Sequence, residues 1–127
     1  MTNPIKHLYR VAASALRERA KAKKRSPKWR VVKKHFLEKN PACAACGSKK
    51  HLQVHHIKPF HLFPGLELED YNLLSLCMSK FECHLRIGHG DDFRCFNPEV
   101  QKHVLAVSVD PKHRSDIEKQ AKLLRQK

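Results

Sequence analysis

The sequence predicts an α+β fold: a β–β–α unit, tied together by clustered cysteines, set between helical flanks. Three observations carry that expectation. Two strand-like runs, Leu52–Ile57 and Leu73–Cys77, precede a short helical stretch at His84–His89. Four cysteines, Cys43, Cys46, Cys77 and Cys83, bracket those runs. Apolar residues at spacings of three and four recur before residue 41 and again after residue 98. A chain of 127 residues holds one domain, or one small domain with an arm. The expected division is a basic helical arm over 1–40, the core over 41–98, and C-terminal helices over 99–127 that pack on it.

Each element has a local cause. Asn3-Pro4 is a helix cap followed by proline at the first helical position, and Ile5, Leu8, Tyr9, Ala12 and Leu16 make one apolar face. Ser26-Pro27 repeats the start signal; Trp29, Val32 and Phe36 form a second stripe, and Asn40-Pro41 stops it. Cys43-Ala-Ala-Cys46-Gly47 reads as a tight knuckle. Pro59 and Pro64-Gly65 mark a loop that runs to Asp70 between the two strands. Gly88 and Gly90 interrupt the short helix. Asn97-Pro98 opens a helix through Val104 and Leu105, and Ser115-Asp116 begins a last one carrying Ile117, Ala121 and Leu124.

Charge and composition narrow the function classes. There are 26 Lys+Arg against 12 Asp+Glu, a formal charge of +14, and 41% of residues are hydrophobic. That hydrophobic share supports a core and argues against global disorder. No apolar run approaches the ~20 residues of a membrane span, and no secretory leader is visible, so a soluble cytoplasmic protein is expected. Residues 1–40 carry thirteen Lys/Arg and only two acidic residues, Glu18 and Glu38. Such a local excess suits a polyanion, most simply DNA. The candidate contacts are Lys21, Lys23, Lys24 and Arg25 in the arm, with Lys58 and Arg86 beside the core motif.

Cys43 and Cys46, at C-x₂-C spacing, can bite one tetrahedral ion, and Gly47 permits the turn beneath it. Cys77 and Cys83 supply a second pair at C-x₅-C spacing. Four thiolates favour a structural Zn²⁺ over hard cations. Cys95 is the odd cysteine, expected as a free, partly buried thiol. Adjacent His55 and His56 lie on a strand, where neighbouring side chains face opposite ways. That alternation suits two jobs, one imidazole on a metal and the other free to accept a proton.

The ordered set His55-His56-Ile57-Lys58-Pro59, Asn72-Leu73-x-x-Leu76-Cys77, Cys83-His84 and Gly88-His89-Gly90, framed by the C-x₂-C pair, resembles the HNH (ββα-metal, His-Me finger) endonucleases over roughly residues 41–98. The resemblance implies a metal-dependent nuclease that hydrolyses DNA phosphodiester bonds by nicking or double-strand cleavage. It implies His56 as general base, and His55, Asn72 and His84 as ligands of a catalytic divalent ion (Mg²⁺, Mn²⁺, Ni²⁺ or Zn²⁺). Asn72 has the alternative role of orienting the loop that carries the base, and His84 that of contacting phosphate. The cysteine–histidine stretch is three residues longer than the usual LC-x₂-CH. His89 lies five residues past His84, about 140° around a regular helix, so it is either a further ligand or, as favoured here, a phosphate contact near the Gly88/Gly90 turn. The resemblance also implies an accessory role in a phage or mobile element, as monomer or homodimer. The competing reading is a non-catalytic, zinc-stabilised module that binds nucleic acid, or an adaptor docking through Trp29 and Phe36.

Overall fold

The computed structural model describes residues 24–127. The expected helix from Asn3 to Leu16 and the basic residues Lys21 and Lys23 lie outside the described residues. In chain order the elements are α1 (Trp29–Lys39), β1 (Leu52–His56), β2 (Leu73–Cys77), a short helix at His84–Gly88, α2 (Val100–Val109) and α3 (Arg114–Leu124). Single 3₁₀ turns occupy Pro64–Leu66 and Asp70–Asn72 within the strand-connecting loop, and Pro111–His113 before α3. Among the described residues, no helix is long and apolar enough to cross a membrane.

β1 and β2 form a two-stranded antiparallel sheet with His55 opposite Leu74 and His56 opposite Leu73. A two-stranded ribbon is marginal alone, so both of its faces are covered. On one face α1 contributes Phe36, backed by Trp29, Val32 and Leu37, against Val54 and Leu73. Residues 29–39, grouped by sequence with the basic arm, therefore pack on the sheet. On the other face Leu76 meets Ile87 of the short helix and Val100, Val104 and Val107 of α2. Leu76, Ile87 and Val100 are fully buried, and each such side chain stabilises the fold by about 1.5–3 kcal/mol relative to exposure. The strand period of two thus sends Gln53 and His55 toward the short helix, and Val54 and His56 toward α1.

His84–Gly88 is a π-helix, whose hydrogen bonds span five residues instead of four. α3 holds the turn that follows. Gly90 has φ +59, and a Cβ there would lie 2.6 Å from the Ala121 carbonyl oxygen; the Arg125 guanidinium donates to the Gly90 carbonyl at 2.8 Å. Asn97, fully buried, donates to the Ile87 carbonyl at 3.0 Å and meets Nδ1 of His103 on α2 at 2.8 Å. The π register is therefore clamped from both C-terminal helices.

Candidate metal and cleavage site

Cys43, Cys46, Cys77 and Cys83 place their sulfurs within 4.8 Å of one another. The knuckle turns through Gly47 at φ +79, with its amide donating to the Cys43 carbonyl at 2.9 Å. Glu82, at φ 48, makes the matching bend before Cys83, which is how the longer C-x₅-C loop returns its second sulfur. The cysteines are free thiols, with the Cys46 and Cys77 sulfurs 3.5 Å apart. Thiols this close compete for protons: hydrogen bonding from Cys83 holds Cys43 down to about 4, and the same contact, with burial, pushes Cys83 far up. A cation removes that conflict by letting all four ionise, and a tetrathiolate suits Zn²⁺. Arg114 of α3 adds an N–H contact to the Cys83 sulfur at 3.3 Å while pairing with Glu118 at 2.8 Å. Cys95, buried, stands outside this cluster.

A second cluster joins His55, His84 and His89, each offering one nitrogen within 4.8 Å of the others. His84 Nδ1 donates to Gln53 Oε1 at 2.7 Å, and His89 Nδ1 donates to the Cys95 carbonyl at 2.6 Å. Both Nε2 atoms are then lone-pair acceptors, yet they face each other at 3.2 Å. Two acceptors cannot bond one another without a cation between them. His55 is 2% exposed, and neither of its ring nitrogens has a hydrogen-bond partner among the described residues. A buried imidazole with both nitrogens unpaired is costly. The three histidines could thus hold a metal, with Gln53 and the Cys95 carbonyl orienting two of the rings as outer partners do in metal sites. Burial pushes all three pKa values below the ordinary range, helped at His84 by His89 and His56; His84 falls to about 4. Neutral imidazole is the ligating form.

The histidine expected as a phosphate contact is therefore the one that meets His84. The 140° rotation holds for α geometry; in a π-helix a five-residue step returns to nearly the same side. Asn72 is elsewhere. It is 2% exposed, and its amide is committed to the loop: Oδ1 accepts from the Lys58 amide at 2.8 Å, and Nδ2 donates to the Lys58 and Leu66 carbonyls at 3.1 and 3.2 Å. Its amide is thus bonded within the loop, and Asn72 does not line the cleft that the three imidazoles border.

His56 lies on the opposite strand face, its ring 4.5 Å from that of Trp29. Its Nε2 donates to the Glu67 carbonyl at 2.9 Å. A carbonyl only accepts, so Nδ1 is the unprotonated nitrogen in the neutral ring. Burial lowers the His56 pKa, and the Arg25 charge adds to that, against the opposing pull of the Glu67 carbonyl. His55, His56, His84 and His89 line one cleft of about 460 Å³ together with Arg25, Phe60, Phe93 and Arg94.

Of the expected DNA contacts, Arg25 reaches this cleft. Arg86 does not: it pairs with Glu82 at 3.4 Å and borders a separate depression beside Ser115 and Lys119 of α3. Lys58 lies over the Phe63 ring at 5.0 Å, outside the cleft lining. Lys24 is exposed. Sequence reasoning missed Gln53, Glu67 and Arg94. Gln53 alone had a local signal, since it shares a strand face with His55.

The HNH endonuclease family model matches residues 43–90, which span both clusters, the sheet and the π-helix. No curated protein and no solved structure gives a significant match.

Proposed function

We infer, from a segment 43–90 that matches the HNH endonucleases and from the cleft it builds, that this protein is a metal-dependent endonuclease hydrolysing DNA phosphodiester bonds. The observation that carries the reading is the division of labour between adjacent strand residues. His55 turns inward to join His84 and His89, while His56 borders the same cleft with its Nε2 proton pinned by Glu67. Pinning one nitrogen leaves Nδ1 to take a proton from an attacking water. A depressed pKa keeps that nitrogen unprotonated at neutral pH.

His55, His84 and His89 would hold the catalytic divalent ion, and Cys43, Cys46, Cys77 and Cys83 the structural zinc. The divalent ion, when bound, supplies Lewis acidity at the scissile phosphate and its leaving oxygen. Three imidazoles suit Zn²⁺ or Ni²⁺ better than Mg²⁺, which favours oxygen ligands. Asn72 holds the loop from Lys58 to Leu66 in place, and Glu67, the next residue, carries the carbonyl that orients His56. The basic residues of the N-terminal segment would add phosphate contacts, which position DNA without specifying its sequence.

Nicking of supercoiled plasmid across Mg²⁺, Mn²⁺, Ni²⁺ and Zn²⁺ tests the reading. His56→Ala is expected to slow cleavage by about 10²-fold or more while the protein still binds the divalent ion, because His56 is not one of the three converging imidazoles. Wild-type cleavage by that variant would overturn the assignment. Absence of metal-dependent nicking by the wild type would favour a zinc-stabilised binding module.

A further inference from the structure

We propose that Glu67 is a positioning residue that holds Arg25 in the cleft beside His56, where the guanidinium receives the phosphate of the strand being cut; this rests on the nuclease reading above. Glu67 is 4% exposed although it is a carboxylate. It accepts from the Ser26 amide at 2.9 Å and from Arg25 Nη1 at 3.3 Å, partners 41 and 42 residues away. The carbonyl of the same residue accepts from His56. One residue therefore fixes the proton acceptor through its backbone and the neighbouring cation through its side chain.

The Arg25 guanidinium is also shaped for the task. It lies 4.4 Å from the Phe60 ring centre and 5.7 Å from that of Trp29, the ring that packs on His56. Its side chain remains 50% exposed, and among the described residues only one of its donors is engaged, by Glu67. The others suit the paired oxygens of a phosphate, which a planar fork matches and a lysine does not. The two other arginines flanking the motif are committed differently. Arg86 lies outside the cleft, and Arg94 is paired with Asp92 through two nitrogens at 3.1 and 3.0 Å. A buried acid holding a half-exposed arginine at the cleft wall leaves a cation whose place is set before substrate arrives, the condition under which electrostatic stabilisation is strongest.

The test combines Glu67→Gln, Arg25→Ala and the double variant, with DNA binding measured on protein carrying zinc at its cysteines and no added divalent metal, and cleavage measured with divalent metal. Arg25→Ala is expected to lower kcat at least 10-fold and to reduce the slope of log affinity against log salt by about one. Glu67→Gln should lower kcat about 10-fold, a misplacement effect, with DNA affinity in the absence of added divalent metal undiminished because the net charge rises. The double variant should match Arg25→Ala alone. Multiplying losses, weakened DNA binding in Glu67→Gln, or wild-type kcat in that variant would each overturn the proposal. Glu67→Asp keeps the charge but withdraws it by one methylene, so it serves should Glu67→Gln fail to fold; it should lower kcat at constant KM, and wild-type kcat there is equally fatal. If the wild type cuts no DNA, the nuclease reading fails by itself, and the salt slopes without added divalent metal still decide whether Arg25 meets phosphate.

Discussion

Gly88→Ala probes the proposed metal centre without replacing a ligand. A Cβ at Gly88 would lie 3.1 Å from both Cε1 and Nδ1 of His55, and 3.2 Å from Cδ1 of Leu76. Neither neighbour can retreat freely, since Leu76 is 0% and His55 2% exposed. Two effects oppose each other in stability. Alanine in place of glycine in helical backbone favours the fold by about 0.5–1 kcal/mol, whereas overpacking costs about 1–3 kcal/mol. The expected net loss is thus between about zero and 2.5 kcal/mol, so the protein should still fold. The larger effect falls on His55, which must turn from the position where it faces His84 and His89. Disturbing what holds a ligand in place typically costs 10–100-fold in metal affinity, about 1.4–2.7 kcal/mol. Titration calorimetry with Ni²⁺ on protein already loaded with zinc at its cysteines measures this directly, and a thermal melt checks the fold. Unchanged Ni²⁺ affinity in folded Gly88→Ala would refute the claim that His55, packed on the π-helix, is part of the metal-binding set.

Asn72→Ala should separate its loop role from ligation. It strands the Lys58 amide and the Lys58 carbonyl, at about 1–3 kcal/mol for a buried group left unpaired, while the Leu66 carbonyl keeps the Glu69 amide at 3.3 Å. A melt should show a loss of about 2–4 kcal/mol with metal stoichiometry unchanged; a stable protein with weakened metal binding would return Asn72 to the ligands. Cys83→Ser should reduce bound zinc and lower the melting temperature together, because the free energy of structural zinc binding is folding free energy, while Cys95→Ser keeps its zinc in elemental analysis. Metal-free protein should also lose stability in acid. Burial, with His89 and His56 nearby, holds His84 at about 4 against an ordinary 6.5. The unfolded chain therefore takes up that proton first, so the contribution is complete above pH 6.5 and is lost as pH falls toward 4. Melting temperatures across that window should fall, and His84→Gln should flatten the decline.

Much of the fold was legible because its signals are local. Leu73–Cys77 is bounded in the sequence by Asn72 and Met78, and forms β2 over those residues. Ser26-Pro27 and Asn40-Pro41 bracket α1, because proline disfavours helix in the residue before it and the side chain of Ser26 accepts from the Lys28 amide at 3.1 Å. Strand alternation alone assigned His55 and His56 to different surroundings, since a period of two leaves no other arrangement in a paired strand. The C-x₂-C-G knuckle announced itself through chemistry and the freedom of Gly47 at φ +79.

The remainder depended on contacts between residues distant in sequence. Nothing near Glu67 marks it as the anchor of Arg25, because the partners are 42 residues apart. Arg86 looked like a phosphate contact from its place beside the motif, yet helix rotation turns it toward Glu82. His89 shows the division most clearly. Sequence supplied a histidine five residues after His84, but spacing becomes direction only once the hydrogen-bond register of the intervening turn is known. That register is π, a rare local choice, held here by Asn97 beneath Ile87 and by Ala121 and Arg125 against Gly90. The sequence determined which chemical groups the protein carries and the strand faces they occupy; the packing of α2 and α3 decided which histidines meet, because only tertiary contacts hold a π turn against the more favourable α register.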